Sequence, residues 1–255
     1  MDNNEPLAEP ELLEIIFQSD ELVAINKPSG LLVHRSPIDK RETRFAVQEL
    51  RNQLGGQHVY PLHRLDKPTS GVLVFALSSA AASFYSKQWQ ENAVCKRYLA
   101  LTRGFAPPSL HIDYGLRLEE DKAAGIAAGE EPQAAITDIN TLAYYSVPEA
   151  LDRYPQTRFS LVESLPITGR KHQIRRHLKH IGYPLIGDSR HGKGPLNRAC
   201  AEYFGVGRLW LHCQRMELLD RDGEKLVLEA DLPEDFAGVL ETLAGFEING
   251  VRPEV

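Results

Sequence analysis

Short apolar runs with strand character recur along this chain, and clusters of turn-forming residues separate them. The run "VLVFAL" at residues 72–77 is typical of a buried strand. The run "VCKRYLALTRG" at residues 94–104 alternates, so that Tyr98 and Ala100 share one face of a strand while Arg97 and Leu99 share the other. Because the many short strands do not alternate regularly with helices, the sequence predicts an α+β fold.

The remaining elements follow from the same two periodicities. Strand-like runs occupy residues 14–18, 22–27, 31–34, 72–77, 94–104, 158–164, 209–218 and 225–232. Helical spacing covers residues 45–54, 80–91 and 234–243, and a further helix after Gly169 ends at Gly182. Ser78 or Ser79 is the expected cap of the helix over residues 80–91.

The domain organisation is predicted to be simple. A chain of 255 residues, 42% of them hydrophobic, allows one large domain or two small ones, and neither a repeat nor a clear linker divides it. We therefore expect a flexible tail over residues 1–10 and a single domain over residues 11–255. The acidic, glycine-rich residues 119–134 are expected to form an exposed excursion.

The sequence favours a cytoplasmic protein. No run approaches the roughly 20 apolar residues that span a membrane, and the acidic N-terminus lacks the apolar region of a signal peptide. The three cysteines, Cys95, Cys200 and Cys213, form no CxxC pair. A disulfide framework or a zinc knuckle is therefore not expected, and a reducing compartment is the default.

Charge is unevenly distributed along the chain. The net charge is −6, yet residues 164–198 hold eight basic residues and one acid, which leaves −13 for the rest. Such segregation suggests one phosphate-facing surface on an acidic body. The alternative is a helix with a charged, solvated face, and charge alone favours that alternative.

The helix after Gly169 concentrates these charges. His172, Arg175 and Arg176 are spaced to share one helix face, which Lys179 extends. The preceding "TGRK" leaves free backbone N–H groups at the helix start, which suit a phosphate. His172 and His177 diverge around the helix, so no metal site is expected there.

The stretch "YPLHRLDKPTSG" at residues 60–71 places an imidazole, a guanidinium and a carboxylate just before a buried strand. It is either a solvated turn or a loop that carries a catalytic carboxylate, Asp66. An arginine from the basic helix, aimed at Asp66, would keep that carboxylate ionised.

Several ordered motifs carry a family resemblance over residues 12–230. "HRLDKPTSG", "KRYLALTRG" and "GRKHQIRRHLKHIGYPLIGD" resemble the three motifs of RNA pseudouridine synthases, and "NKPSG" and "LWLHC" match two further landmarks. No S4-type module precedes them, as in the RluA-like branch. The resemblance implies that family's catalytic fold, with a mixed, largely antiparallel central sheet flanked by helices and loops.

The resemblance also implies an activity, the isomerisation of uridine to pseudouridine after the base has left the stack. Asp66 is then the catalytic carboxylate, either as nucleophile at C1′ or as base at C2′. Arg175 pairs with Asp66 and orients it, and Tyr98 stacks on the uracil and handles a proton. Leu165 and Ile174 are expected to supply apolar walls for the base.

The remaining candidate residues are expected to contact RNA. Arg64 points the same way as Asp66 and is expected to fill the gap left by the base, whereas His63 serves either the RNA backbone or the local fold. The other candidates are Arg170, Lys171, His172, Arg176, Lys179, Arg190 and Lys193. No cofactor, metal, membrane or obligate protein partner is expected, because the reaction is redox-neutral and adds no group.

A closer resemblance narrows the expected substrate. "RYPQTRFSLVE" and "GDSRHGKGPLNR" are similar to the family members that modify uridine 65 in the acceptor-side region of tRNA. These members share His191, where most of the family has Tyr. Ribosomal RNA or an anticodon-arm uridine remain alternative substrates, and a non-catalytic RNA-binding module is the alternative of another class.

Overall fold

The structure, a computed structural model, describes residues 12–35, 42–119 and 127–248. Its helices are α1 Ala46–Gln53, α2 Ser79–Gln90, α3 Gln173–His180, α4 Gly194–Phe204 and α5 Glu234–Ala244. The strands are β1 Glu14–Gln18, β2 Leu22–Lys27, β3 Tyr60–Pro61, β4 Ser70–Ala76, β5 Cys95–Arg103, β6 Ser109–Asp113, β7 Leu116–Arg117, β8 Pro132–Gln133, β9 Ile136–Val147, β10 Thr157–Pro166, β11 Leu211–Leu219 and β12 Lys225–Glu229. The predicted tail lies outside these residues, and the single domain stays a prediction.

One large sheet organises the described chain. Its strand order is β1-β2-β4-β11-β5-β10-β9-β6, with β3 added to β4 and β12 to β11. The pairs are antiparallel except for β4 and β11, which run parallel and meet at Ser70 with His212 and at Gly71 with Cys213. This arrangement confirms the predicted α+β class and the mixed, largely antiparallel sheet.

The parallel contact between β4 and β11 requires a glycine. Gly71 has φ +108°, and a Cβ there would lie 2.1 Å from the carbonyl oxygen of Cys213. Only a residue without a side chain lets the two backbones approach so closely in this conformation. Asp66 lies a few residues before β4, so this contact lies directly behind the predicted catalytic loop.

The predicted helices form, with small differences at their ends. Ser78 caps α2, since its Oγ accepts the backbone N–H of Ala81 at 3.1 Å. In α3 the buried Ile174 and Leu178 face the core, and Gly182 adopts φ +90° beyond the helix end. His172 was expected within this helix, but it has φ 56° and immediately precedes it. None of the described helices has the length and apolar content needed to cross a membrane.

The strand predicted at residues 31–34 is wrong. Leu32 makes only an isolated bridge with Phe45, and the segment otherwise turns. The carbonyls of Leu32 and Val33 instead accept the N–H groups of Ala46 and Val47 at 2.8 and 3.0 Å, so they are used at the start of α1 and not in a strand ladder.

Candidate active site

The loop that carries Asp66 is anchored to the segment that follows β2. Within the loop, the N–H of Thr69 donates to the carbonyl of Asp66 at 3.0 Å. The N–H of Gly30 donates to the carbonyl of Lys67 at 2.9 Å, and Ser29 Oγ donates to the carbonyl of Pro68 at 2.8 Å. The turn of "NKPSG" therefore fixes the backbone on which the carboxylate stands.

Lys27, in the same turn, is a fully buried amine. Its Nζ donates to the backbone carbonyls of Pro28 at 2.9 Å, Leu31 at 2.8 Å and Lys67 at 3.2 Å. Burial, together with the charge of Arg208, lowers the pKa of Lys27 to about 7, although the charge of Asp66 acts in the opposite direction. Lys27 thus ties the two loops together and lies within the electrostatic range of Asp66.

Arg175 joins Asp66 to a second carboxylate. Its Nη1 donates to Asp66 Oδ2 at 2.8 Å, while Nε and Nη2 donate to Asp188 Oδ2 and Oδ1, each also at 2.8 Å. Only 4% of Arg175 is exposed. A two-bond contact of this kind fixes the guanidinium plane, so Asp188 determines where the third nitrogen points.

Asp188 is held in its charged form. Burial raises the pKa of this carboxyl, but the hydrogen bonds from Arg175 and from the backbone N–H groups of His191 and Arg190 outweigh burial and lower it to about 2. The anion and its cation therefore form a fixed base for the contact with Asp66.

Two histidines extend the cluster beside Asp66. His172 Nε2 lies 3.7 Å from Asp66 Oδ2, and His172 Nδ1 lies 3.0 Å from Nε2 of the buried His191. Burial lowers the pKa of His172 to about 4 and also lowers that of His191. Both rings are therefore neutral at neutral pH. With Nε2–H on both rings, His191 donates to His172 and His172 directs its proton towards Asp66.

Glu119 enters the same cluster from the sheet edge. Its carboxylate lies 3.1 Å from Arg190 Nη2 and 3.7 Å from Arg176 Nε. The ligand atoms of Glu119, His172 and His191 lie within 4.8 Å of one another, so among the described residues these three form a group that could hold a metal ion. The two guanidinium groups on the carboxylate would compete with such an ion.

Tyr98 lies on β5, between Ser164 of β10 and Cys213 of β11. It is buried in the same apolar cluster as Ile174, whereas Leu165 is half-buried on β10. Burial, with a smaller effect of Cys213, raises the pKa of Tyr98 well above its ordinary value. The phenol therefore keeps its proton at neutral pH, and the ring offers an apolar surface with one donor.

Comparison with known proteins identifies the family. The family described as RNA pseudouridylate synthase matches residues 21–180. The chain belongs to this family. A protein of Pasteurella multocida (strain Pm70) named tRNA pseudouridine synthase C is 50% identical over 206 residues, which are 80% of this chain and 84% of that protein. One of Yersinia pestis with the same name is 44% identical over 247 residues, 96% of this chain and 95% of its own.

Solved structures agree with the family assignment. Human RNA Pseudouridylate Synthase Domain Containing 4 is 27% identical, with a TM-score of 0.67 over 91% of this chain and 93% of that chain. Human RNA Pseudouridylate Synthase Domain Containing 1 shares the fold, with a TM-score of 0.69 over 92% of this chain and 97% of that chain at 24% identity. Enzymes of the RNA pseudouridylate synthase family isomerise uridine to pseudouridine in RNA. This chain is therefore an isomerase that acts on RNA.

Arg64 and His63 are the two expected RNA contacts that lie nearest to Asp66 in the sequence of this pseudouridine synthase, and their surroundings differ. Arg64 is exposed, and it makes no hydrogen bond or ion pair with any residue that the structure describes. His63 instead accepts the N–H of Val74 through Nε2 at 3.1 Å and stacks on Trp89. These contacts fit the local structural role that the sequence left open for His63, and they occupy one face of the ring and its acceptor nitrogen.

The basic residues around α3 and α4 are mostly accessible. Arg170, Lys179, Arg190 and Lys193 are exposed, and Lys171 is half-buried. Arg170 Nε donates to the carbonyl of Ala134 at 3.0 Å, and Arg176 Nη1 donates to that of Arg117 at 3.0 Å. These two arginines are therefore held against the segments on either side of the acidic stretch.

Sequence reasoning missed three residues of this site. Asp188 was visible only as the end of the third motif, and a buried acid in a basic window was the available signal. Lys27 stood inside "NKPSG", where a lysine at the end of an apolar strand was the signal. Glu119 gave none. Residues 127–134 are largely exposed, as predicted for the excursion, but the Glu119 side chain is only 20% exposed and lies in the cluster.

Proposed function

We propose that this enzyme converts uridine to pseudouridine in tRNA, at position 65 of the acceptor-side region, with Asp66 as its catalytic carboxylate. The observation that carries the assignment of Asp66 is its contact with Arg175, whose other two nitrogens are bound to Asp188. The tRNA substrate rests on the names of relatives that cover most of the chain. A cytoplasmic location follows from that substrate.

The reaction needs an ionised and aimed carboxylate. The N1–C1′ bond breaks, C5 bonds to C1′, the proton on C5 is lost and N1 gains one. Asp66 serves either by attack on C1′ or by removal of the C2′ proton, and both roles require its anion. Arg175 binds Oδ2 alone, so Oδ1 has no hydrogen-bond partner among the described residues and is free for the ribose.

The neighbouring residues suit a uracil that has left its stack. Tyr98 and Ile174 both belong to the main hydrophobic core, and the charge of Asp66 acts on the Tyr98 phenol. That neutral phenol bonds to Cys213 in the free enzyme and can donate to a uracil oxygen or nitrogen instead. Leu165 adds a half-buried apolar wall. Arg64, exposed and unpaired among the described residues, is suited to fill the gap that the extruded base leaves in the RNA.

The remaining RNA contacts are assigned to the basic surface. Arg170, Lys171, His172, Arg176, Lys179, Arg190 and Lys193 line up along α3 and the segment after it. The lysines and arginines among them supply positive charge for an RNA backbone, the neutral His172 supplies only a polar ring, and most of the affinity of such a surface comes from phosphates. No protein partner is required by this arrangement.

The test is tritium release from C5-labelled uridine in tRNA transcripts. Asp66→Asn keeps the shape and removes the charge, and we expect no release above background; Asp20→Asn, on an exposed turn, is the control and retains full activity. Release that survives Asp66→Asn would remove the assignment of Asp66. Pseudouridine mapping in total RNA of a deletion strain then identifies the substrate: a loss confined to ribosomal RNA, or to the anticodon arm, would contradict position 65.

A further inference from the structure

The Glu119 carboxylate occupies a site lined by basic side chains. Arg190 Nη2 lies 3.1 Å from Oε2, and Arg176 Nε lies 3.7 Å from Oε1. His172 Nδ1 lies 3.6 Å from Oε2, and His191 Nε2 lies 3.9 Å from Oε1. The Glu119 side chain is 20% exposed, so a single acid fills most of a pocket whose walls are the nitrogen atoms of two arginines and two histidines.

The fit of the carboxylate in this pocket is poor. Oε2 of Glu119 is shielded from solvent and yet makes no well-formed hydrogen bond. Three of the four contacts are 3.6 Å or longer, whereas bonds between a cation and a carboxylate usually measure about 2.7–2.9 Å. The donors are therefore arranged around a larger anion than a planar carboxylate.

Once the Glu119 side chain has moved away, the charges in the cluster leave room for one anion in its place. Arg175 is already neutralised by Asp66 and Asp188, so its charge is not available to Glu119. Arg176 and Arg190 carry the free positive charge, and burial keeps His172 and His191 neutral. A phosphodiester has one negative charge, as Glu119 has, and its tetrahedral oxygens reach donors on several sides.

The pocket also lies where a substrate phosphate is needed. One imidazole separates it from Asp66, because His172 approaches Asp66 with Nε2 and Glu119 with Nδ1. The phosphates on either side of a uridine are attached to the ribose whose C1′ faces Asp66. Arg190 is half-exposed, which leaves the pocket open to solvent on that side.

We infer that Arg176 and Arg190, beside the rings of His172 and His191, form a binding site for an RNA backbone phosphate next to the target uridine, and that Glu119 holds this site in the free enzyme. Binding of RNA rotates the Glu119 side chain out, and the phosphate takes its place. This inference rests on the proposed function for the identity of the ligand. It makes Glu119 a competitor of the substrate: the acid keeps the cations in position and weakens the binding of RNA.

The experiment compares Glu119→Gln with a matched control. Glu217 is also a shielded glutamate between two cations, with Arg215 Nε at 2.9 Å and Lys225 Nζ at 3.0 Å, and 14% of its side chain is exposed. It lies towards the far end of β11, away from the cluster. The dissociation constant of a tRNA transcript is measured for wild type, Glu119→Gln and Glu217→Gln over a range of salt concentrations.

Glu119→Gln is expected to bind the transcript about threefold to tenfold more tightly at low salt, because one repulsive charge is removed. The slope of log affinity against log salt stays the same in Glu119→Gln, because the phosphate contact forms in both proteins, whereas loss of that contact in Arg190→Gln makes the slope shallower by about 0.7 to 0.9. Glu217→Gln changes neither value. Arg190→Gln gives weaker binding, and in the Glu119→Gln background it abolishes the gain.

Two results would overturn the inference. Weaker RNA binding by a folded Glu119→Gln would mean that the acid organises these cations for RNA, and an unchanged salt slope in a folded Arg190→Gln would mean that no phosphate binds there. Thermal unfolding of each variant shows that it is folded. The outcome is separable from the proposed function, since a wild type that forms no pseudouridine defeats that function while binding of the same transcript still tests the phosphate site.

Discussion

Arg175 gives two of its guanidinium nitrogens to Asp188 and only one to Asp66, all at 2.8 Å. The stronger contact is thus made to the acid that takes no part in the proposed chemistry. Because Asp188 is buried and ionised, it fixes the arginine plane, and the arginine in turn fixes one oxygen of Asp66. The direction of the proposed catalytic carboxylate, Asp66, is therefore set by Asp188, which does not contact it directly.

Asp188→Asn should lower kcat much more than it changes KM. The amide keeps the shape but cannot accept two charge-assisted bonds, so Arg175 loses its orientation and Asp66 its aim. Misplacement of a reacting group by about 1 Å lowers rates roughly 10²-fold. Single-turnover rates and RNA affinity, measured separately, check the split. A variant that loses only RNA affinity would contradict the positioning role.

The same variant should also unfold more easily. The guanidinium keeps Asp66 as an anionic partner, but it loses its charged partner Asp188, and a hydrogen bond to a charged group contributes about 1.5–3 kcal/mol. Denaturant unfolding measures that loss, and Asp222→Asn, in an exposed turn, is the control. Retention of wild-type stability together with a lowered kcat would mean that the guanidinium finds another partner.

Tyr98→Phe separates the apolar wall from the proton donor. The ring and its packing against the Ile174 cluster are retained, so RNA affinity should stay within about twofold, while kcat falls by about 10²-fold or more if the phenol transfers a proton. Because the pKa of Tyr98 is raised well above 10, the wild-type rate should show no loss from its ionisation below pH 10. A fully active Tyr98→Phe would leave the residue as a wall alone.

Sequence patterns predicted the elements whose burial or capping leaves a clear local signal in the sequence. The buried run of β4 and the serine cap of α2 have local signals that the structure keeps. Helix α4 was missed although its signals exist, with Pro195 in the first turn and Gly205 beyond the end. Strand β9 was missed although Ile139, Tyr145 and Val147 are buried, because polar residues stand between them and its first buried position is Thr137, which bonds to Gln173.

The sequence predicted the site residues that stand in family motifs. It missed a residue that enters the site only because distant segments pack together. Asp66 and Arg175 are 109 residues apart, and only the resemblance to a family joined them before the structure did. Glu119 lies in an acidic, glycine-rich segment whose composition indicates exposure, and its cations come from α3 and the segment beyond. No local pattern encodes such a contact, because it depends on how the sheet edge packs against the helix.

The buried histidines predict how stability depends on acid. Burial lowers the pKa of His63 to about 3 and that of His172 and His212 to about 4, against 6.5 for a free imidazole. Below pH 6.5 these histidines bind protons in the unfolded chain but not in the folded chain. The free energy of unfolding therefore falls from pH 6.5 to pH 4. Each histidine adds a slope of about 1.4 kcal/mol per pH unit.

His63→Gln should remove one of these contributions. The glutamine can still accept the N–H of Val74 but does not titrate, so the variant should lose stability less steeply than wild type between pH 6.5 and 4. Unfolding free energies at several pH values give the two slopes, with pH 8 as the common reference. Parallel curves would mean that His63 is not buried as a neutral ring.

Lys27→Met tests the buried amine at the other end of the pH range. The pKa of Lys27 is about 7 in the fold against 10.5 when free, so from pH 7 upwards the unfolded chain binds the extra proton and wild-type stability rises with pH. Above pH 9 the buried Cys200 and Cys213, whose pKa values are raised to about 12, act in the opposite direction. The rise from pH 7 to 9, about 1.4 kcal/mol per unit at most, should disappear in Lys27→Met.

Gly71→Ala should disrupt the contact between β4 and β11. The new Cβ would lie 2.1 Å from the carbonyl oxygen of Cys213 and 2.6 Å from its nitrogen, so one backbone has to move. Gly56→Ala is the matched control, since Gly56 has φ +92° but nothing within 4 Å of a Cβ. The Gly56→Ala variant should lose only the stability that a left-handed backbone costs an alanine, about 1–2 kcal/mol.

The difference between the two alanine variants isolates the clash from the backbone strain. Gly71→Ala should lose several kcal/mol more than Gly56→Ala in denaturant unfolding, and its residual pseudouridine formation should fall because the loop of Asp66 leads directly into β4. Equal losses of stability in both variants would mean that β4 and β11 can move apart at no further cost in the free energy of unfolding. The close approach of these two strands would then not be what holds Asp66 in place.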